Sequence, residues 1–112
     1  MPWLLRDDEV LAAVEVASSY SSRWRHLAGR DFLEGALLLD RARSVHTIAV
    51  RFSLDVAYCT RGPEGSLTVL STRAMPRWRI GRPRPRARCV IAAQTGAFER
   101  WRLAPGDLLV LR

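Results

Sequence analysis

Residues 45–59 read VHTIAVRFSLDVAYC, and their alternation decides the fold. Every second position from 46 to 58 carries a large side chain, whereas small or polar residues fill the positions between. This period of two predicts a β-strand rather than a helix. Fifteen residues exceed the usual strand length, so we expect a bend or bulge near 51–53.

Shorter segments around this stretch show the same character. Strands are predicted at 10–17, 35–39, 67–72, 89–94 and 108–111, with turn chemistry between several of them. A serine-rich stretch introduces one short helix near residues 20–28, and a helical turn is predicted near 97–103, with Thr95 as its cap. The pattern predicts a mostly-β fold, a compact sandwich or barrel.

The chain length and composition exclude several classes of protein. With 112 residues, 48% of them hydrophobic, residues 1–112 are expected to form a single globular domain. The longest apolar run has five residues, against about 20 for a membrane-spanning helix. Acidic residues at 7–9 argue against a secretory signal. We therefore expect a cytoplasmic protein without a membrane span.

Positive charge is concentrated in one segment. The chain has 18 basic residues, all arginine, and 11 acidic ones, a net charge of +7. Seven of the arginines lie within 73–88, where no acidic residue occurs, so the rest of the chain is neutral overall. In an extended backbone, arginines at every second position, such as 82, 84, 86 and 88, would lie about 6–7 Å apart. This spacing suits successive phosphates.

This segment is the first candidate site. It predicts an anion-binding or nucleic-acid-binding surface, with the tryptophan available to stack on a base. The alternative is that arginine and proline protect an exposed sheet edge from aggregation. The candidate residues are Arg77, Trp78, Arg79, Arg82, Arg84, Arg86 and Arg88.

Several ordered motifs resemble the domain-of-unknown-function 192 family. They are LAGR at 27–30, LEGALLL at 33–39, SVHT at 44–47, RFSLDVAY at 51–58 and LAPGD at 103–107. The resemblance implies a compact, jelly-roll-like β-sandwich with a short helix near its start, and a suspected ligand-binding role without an established activity. The chain departs from the family pattern at 46–50 and at Ser53, where a proline is usual, but keeps Asp55, Gly106 and Asp107.

A second candidate site follows mostly from this resemblance. A shallow polar pocket would hold a small anionic or polar ligand, whereas the same side chains would otherwise be a solvated sheet face. The candidate residues are Arg43, His46, Thr47, Arg51 and Asp55.

The sequence contains few patterns that indicate catalytic residues or metal ligands. His46 and Asp55 lie nine residues apart, about 30 Å along a straight strand. Cys59 and Cys89 lack the spacing of metal ligands and are expected to be free thiols, paired only if adjacent strands bring them together. No catalytic residue, metal or cofactor is predicted.

The leading hypothesis is a non-catalytic binding module for a small anionic or polar ligand. The alternative is non-specific nucleic-acid binding through residues 73–88, and a weaker alternative is a hydrolase that uses His46 and Asp55. The sequence selects no oligomeric state.

Overall fold

The computed structural model describes residues 2–17, 33–40, 52–76 and 84–112, and the helix predicted near 20–28 lies outside these ranges. The described residues contain seven strands, one short α-helix and a 3-10 turn, Pro63–Gly65. The strands and the helix are β1 Trp3–Arg6, β2 Glu9–Ala17, β3 Ala36–Asp40, β4 Leu54–Arg61, β5 Ser66–Met75, β6 Cys89–Gln94, α1 Ala97–Trp101 and β7 Leu108–Leu111.

The seven strands close into a barrel in the order β1-β2-β3-β6-β4-β5-β7. β2 and β3 pair in parallel, and the other neighbouring strands pair antiparallel. The predicted mostly-β barrel is therefore confirmed. The hairpin of β4 and β5 is also confirmed, as are the bounds of β6. The chain bends at Phe52, where an interruption is predicted, and residues 45–51 lie outside the described ranges.

One hydrophobic cluster contains buried residues from all seven strands, and we therefore assign it to the barrel interior. Ala97 and Phe98 of α1, and Leu103 after it, join this cluster at one end. The strand residues of this cluster are Leu4, Val14, Ala36, Leu38, Ala57, Cys59, Leu67, Val69, Cys89, Ile91, Ala93 and Leu109.

A second cluster covers the outer face of β3, β6 and β4, which are consequently buried on both faces. Leu33, Phe52 and Ala87 pack on this face from outside the strands. The strand residues are Ala17, Leu37, Leu39, Leu54, Val56, Tyr58, Met75, Val90 and Ala92. We call this cluster the outer layer.

The expectation of a solvated face around Asp55 is wrong. Ala57 and Cys59, which share its side of β4, have no exposed surface and belong to the interior cluster. Closure of the barrel turns this face inward, and alternation within a single strand does not reveal that closure.

The two ends of the barrel differ. At the helix end, β6 finishes at Gln94 and the chain continues through Thr95 and Gly96 into α1. At the cysteine end, Cys89 lies opposite Asp40 of β3 on one side and opposite Cys59 of β4 on the other. Among the described residues, no helix has the length and apolar character needed to cross a membrane.

Truncation of an interior side chain tests the position of the hydrophobic core. Leu38→Ala should lower the free energy of unfolding by about 2–5 kcal/mol, because it leaves a cavity inside the barrel. Its register partner Val16 lies on the same side of the sheet but is 46% exposed, and Val16→Ala should change stability by about 0.5 kcal/mol or less. Urea unfolding of both variants checks this, and equal losses would contradict the burial of Leu38 in the core.

Candidate functional site

Of the predicted polar pocket, only Asp55 lies within the described residues. Arg43, His46, Thr47 and Arg51 fall outside them, so their arrangement around Asp55 stays a prediction.

The Asp55 carboxylate binds the backbone at the start of α1. Its Oδ2 accepts hydrogen bonds from the Gly96 N–H at 2.9 Å and the Phe98 N–H at 3.2 Å. The first N–H groups of a helix lack partners within the helix, and a carboxylate satisfies them well. Asp55 therefore joins β4 to the helix end of the barrel.

The prediction that Thr95 caps this helix is wrong. The N-cap residue is Gly96, whose φ of +97° favours glycine. Glycine has no side chain that could accept a hydrogen bond from the start of the helix. The cap comes instead from Asp55, which lies 41 residues earlier in the chain. Local sequence patterns do not reveal such a long-range contact.

A cavity of about 310 Å³ lies beside this contact. Its lining mixes both signs of charge, with two carboxylates and one guanidinium, so its composition does not select an anion. The lining residues are Asp55, Thr72, Arg73, Ala74, Thr95, Gly96, Phe98 and Glu99.

Arg6 and Asp107 hold together the segment that follows α1. Arg6 Nη1 lies 3.0 Å from Asp107 Oδ2, which also accepts the Ala104 N–H at 3.0 Å. Burial lowers the pKa of Arg6, but hydrogen bonds with Asp107 and Glu9 outweigh it and raise that pKa above its ordinary value. Arg6 is not among the site residues predicted from the sequence, because its partner Asp107 lies at the other end of the chain.

The described half of the arginine segment is a turn. Arg77, Trp78, Arg79 and Arg82 lie outside the described residues. The Ala87 N–H donates to the Arg84 carbonyl at 2.9 Å, which closes a turn over residues 84–87. Pro85 favours this turn because its ring fixes φ near −65°. The expectation of extended backbone with evenly spaced arginines is therefore wrong for this half.

The three described arginines of this turn differ in their contacts. Arg88 is exposed, and its Nη1 donates to the carbonyls of Pro85 at 3.0 Å and Ala87 at 3.1 Å. Arg84 is half-buried, and its guanidinium carbon lies 5.3 Å from the centre of the Tyr58 ring. Arg86 is exposed. No carboxylate among the described residues pairs with Arg84 or Arg86.

Tyr58 provides the aromatic ring over which the Arg84 guanidinium lies. It belongs to the outer layer and has no exposed surface, and its hydroxyl has no hydrogen-bond partner among the residues that the structure describes. In the β4–β5 hairpin, Tyr58 lies directly opposite Ser71, so both side chains lie on the outer face. Neither residue is among the site residues predicted from the sequence, because the contact between Tyr58 and Arg84 joins segments that are distant in the chain.

A cavity of about 390 Å³ lies at this position, and we call it the arginine cavity. Its volume falls within the range of small-molecule sites. None of the described residues that line it is acidic. They are Leu70, Ser71, Arg84, Pro85 and Arg86.

The sheet brings the two cysteines together on adjacent strands, an arrangement that the sequence could not decide. They are register partners on β4 and β6, and both are buried free thiols. Within the described residues, no group of three histidine, cysteine or acidic side chains is arranged to hold a metal ion.

Removal of the Asp55 carboxylate tests its role at the helix end. Asp55→Ala should lower the free energy of unfolding by about 1–3 kcal/mol and speed hydrogen exchange at the Gly96 and Phe98 amides, which lose their acceptor. Urea unfolding and amide exchange measure the two effects. Glu34→Ala, which removes an exposed carboxylate, is the control. Unchanged exchange at both amides would contradict the capping role.

Comparisons with known proteins show the fold. No protein-family model matches the sequence, and no curated protein matches it. The crystal structure of a "putative transcription regulator" from Sinorhizobium meliloti 1021 aligns with a TM-score of 0.76 at 20% identity, over 98% of this chain and 91% of that one. A protein of unknown function from Novosphingobium aromaticivorans DSM 12444 aligns with a TM-score of 0.73 at 17% identity, over 96% and 81%. Neither finding tests the resemblance to the domain-of-unknown-function 192 family, which stays a prediction.

Proposed function

We propose that this protein is a non-catalytic binding module whose arginine cavity holds a small anion bearing phosphate or carboxylate groups. The observation that carries the proposal is the state of Arg84: its guanidinium is half-buried over Tyr58, and no described carboxylate neutralises it. A partly desolvated charge without a counter-ion is costly, and a bound anion would remove that cost.

The contact with Tyr58 leaves the hydrogen-bond donors of the guanidinium unused. An aromatic face attracts a cation by about 0.5–2 kcal/mol through its charge distribution. The Arg84 donors therefore stay available to a ligand. Guanidinium donors match the spacing of carboxylate and phosphate oxygens, with which they form two parallel hydrogen bonds.

Arg86 and Ser71 add to this set of donors. Both line the arginine cavity, Arg86 from the turn and Ser71 from β5. The turn is held by the Ala87 N–H to Arg84 carbonyl bond and by the ring of Pro85. A preformed arrangement of donors lowers the entropy lost on binding. The net charge of +7 would also attract anions from a distance.

Nucleic-acid binding is the second candidate function. It is supported by the seven arginines of 73–88 and by the printed name of the Sinorhizobium neighbour, a transcription regulator. The turn at 84–87 favours the small anion over a long phosphate chain, because it breaks the even spacing of the arginines. Each described strand pairs with two others in the closed barrel, so the described strands leave no exposed sheet edge. This argues against the alternative that arginine and proline protect such an edge from aggregation.

Membership of the domain-of-unknown-function 192 family is part of the proposal, as is a cytoplasmic location. Residues that keep the family pattern have structural roles in this barrel. Gly106 has a φ of +93°, which favours glycine, and Asp107 accepts the Ala104 N–H within the same turn. These structural roles support a resemblance in fold, and they give no support to a shared ligand.

Calorimetric titration with pyrophosphate tests the anion site. The folded protein should bind it, and Arg84→Gln should weaken binding about 10-fold or more, because a charge-assisted hydrogen bond contributes about 1.5–3 kcal/mol. Arg84→Lys keeps the charge over Tyr58 but not the paired donors, and it should also weaken binding. Arg100→Gln removes the same charge from α1 and should have little effect.

Circular dichroism establishes that each variant is folded. Equal weakening by Arg84→Gln and Arg100→Gln would reduce the effect to net charge and contradict the site, as would the absence of binding.

Salt titration with single-stranded DNA separates the two functions. If about six arginines meet phosphates, log K should fall against log salt with a slope of about −4 to −5. The anion-site proposal predicts weaker DNA binding that pyrophosphate displaces from the Arg84 surface. A steep slope that neither pyrophosphate nor Arg84→Gln alters would support the nucleic-acid function instead.

A further inference from the structure

Cys59 and Cys89 face each other inside the cysteine end of the barrel. Cys59 lies near the end of β4, Cys89 begins β6, and the two are direct register partners. Both have no exposed surface and belong to the interior cluster. They are the only two cysteines of the 112-residue chain.

Their placement suits a disulfide bond. Directly opposite residues of antiparallel strands have Cα atoms about 4.5–5.5 Å apart, with side chains on the same face. Disulfides join Cα atoms that are about 4.4–6.8 Å apart. The Cys59 thiol, which donates to the Ala57 carbonyl at 3.8 Å, faces the barrel interior together with Cys89. The bond can therefore form without a change in the strand pairing.

An ion pair lies beside the thiols and makes them unequal. Asp40 is opposite Cys89 on β3, and Arg61, two residues after Cys59, pairs with Asp40. The neighbouring Cys59 thiol lowers the pKa of Cys89, and the charge of Arg61 lowers it further, against burial and Asp40. The neighbouring Cys89 thiol, together with burial, raises the pKa of Cys59. Cys89 is consequently the better nucleophile.

We propose that Cys59 and Cys89 form a redox-active dithiol, which a peroxide converts into a reversible intramolecular disulfide. This site is independent of the arginine cavity and of the function proposed for it.

The reaction proceeds in two balanced steps. The Cys89 thiolate attacks one peroxide oxygen, the O–O bond breaks, and hydrogen peroxide leaves a sulfenic acid and hydroxide. The Cys59 thiol then attacks the sulfenic sulfur, and the S–O bond breaks as the S–S bond forms and water leaves. In sum, two thiols lose two electrons and two protons, and one peroxide becomes two water molecules. An external dithiol reverses the oxidation by thiol–disulfide exchange.

Peroxide reaches the thiols through the cysteine end. Both cysteines lie close to strand ends, where local opening costs less than it does in the strand centres. The side chains of Arg61 and Asp40 are 43% and 24% exposed, so their ion pair is in contact with solvent. Separation of this pair would expose Cys89 without unfolding the barrel.

Oxidation of the full, folded chain tests the proposal directly. The reduced protein is treated with a small excess of hydrogen peroxide, and its thiols and intact mass are measured. Both thiols should disappear together, the mass should fall by two hydrogen atoms, and dithiothreitol should restore both. Because the chain has two cysteines, the product has one possible intramolecular pairing. Persistence of both thiols, disulfide-linked dimers, or added oxygen on the cysteines would overturn the proposal.

Single substitutions assign the two roles. In Cys59→Ala, the oxidation at Cys89 should stop at a sulfenic acid, which dimedone traps. In Cys89→Ala, the remaining Cys59 thiol should react at least about tenfold more slowly than Cys89 does in Cys59→Ala, because burial still raises the pKa of Cys59, whereas the charge of Arg61 still lowers that of Cys89. Equal rates in the two variants would overturn Cys89 as the attacking thiol. The wild-type experiment does not depend on the folding of either variant.

Discussion

Strand β6 lies between β3 and β4, and its residues from Cys89 to Ala93 are buried on both faces. Val90 and Ala92 face the outer layer, and Cys89, Ile91 and Ala93 face the barrel interior. A strand buried on both sides tolerates few polar groups, so β6 carries no charged residue, and the charged residues of the flanking strands β3 and β4 lie at or next to the strand ends. The Asp55 cap and the Arg61–Asp40 pair occupy such positions, and the arginine turn lies in the segment before β6.

The outer layer explains why Arg84 differs from Arg86 and Arg88, the other described arginines of its turn. Arg84 lies over Tyr58, a side chain that the outer layer buries completely. The Arg84 side chain is half-buried at this ring, whereas Nη1 of Arg88 donates to the neighbouring carbonyls of Pro85 and Ala87. The proposed anion site therefore depends on hydrophobic packing in the barrel wall as much as on the local concentration of charge.

Strand positions follow from the sequence better than their assembly does. The apolar run at 89–94 predicts β6, and the turn chemistry at 62–65 predicts the β4–β5 hairpin, because both are local signals. The closure of the barrel, the capping of α1 by Asp55 and the contact of Arg84 with Tyr58 depend on segments that are distant in the chain. The turn at 84–87 shows that prolines between arginines bend the chain as readily as they extend it.

The side-chain Nε–Hε resonances of the arginines report most directly whether Arg84 binds an anion. In a nuclear magnetic resonance titration with pyrophosphate, the signals of Arg84 and Arg86 should shift together and saturate, while those of Arg88 and Arg100 stay nearly constant. A uniform, non-saturating shift of every exposed arginine, or an unmoved Arg84 signal, would contradict the account of this protein as an anion-binding barrel.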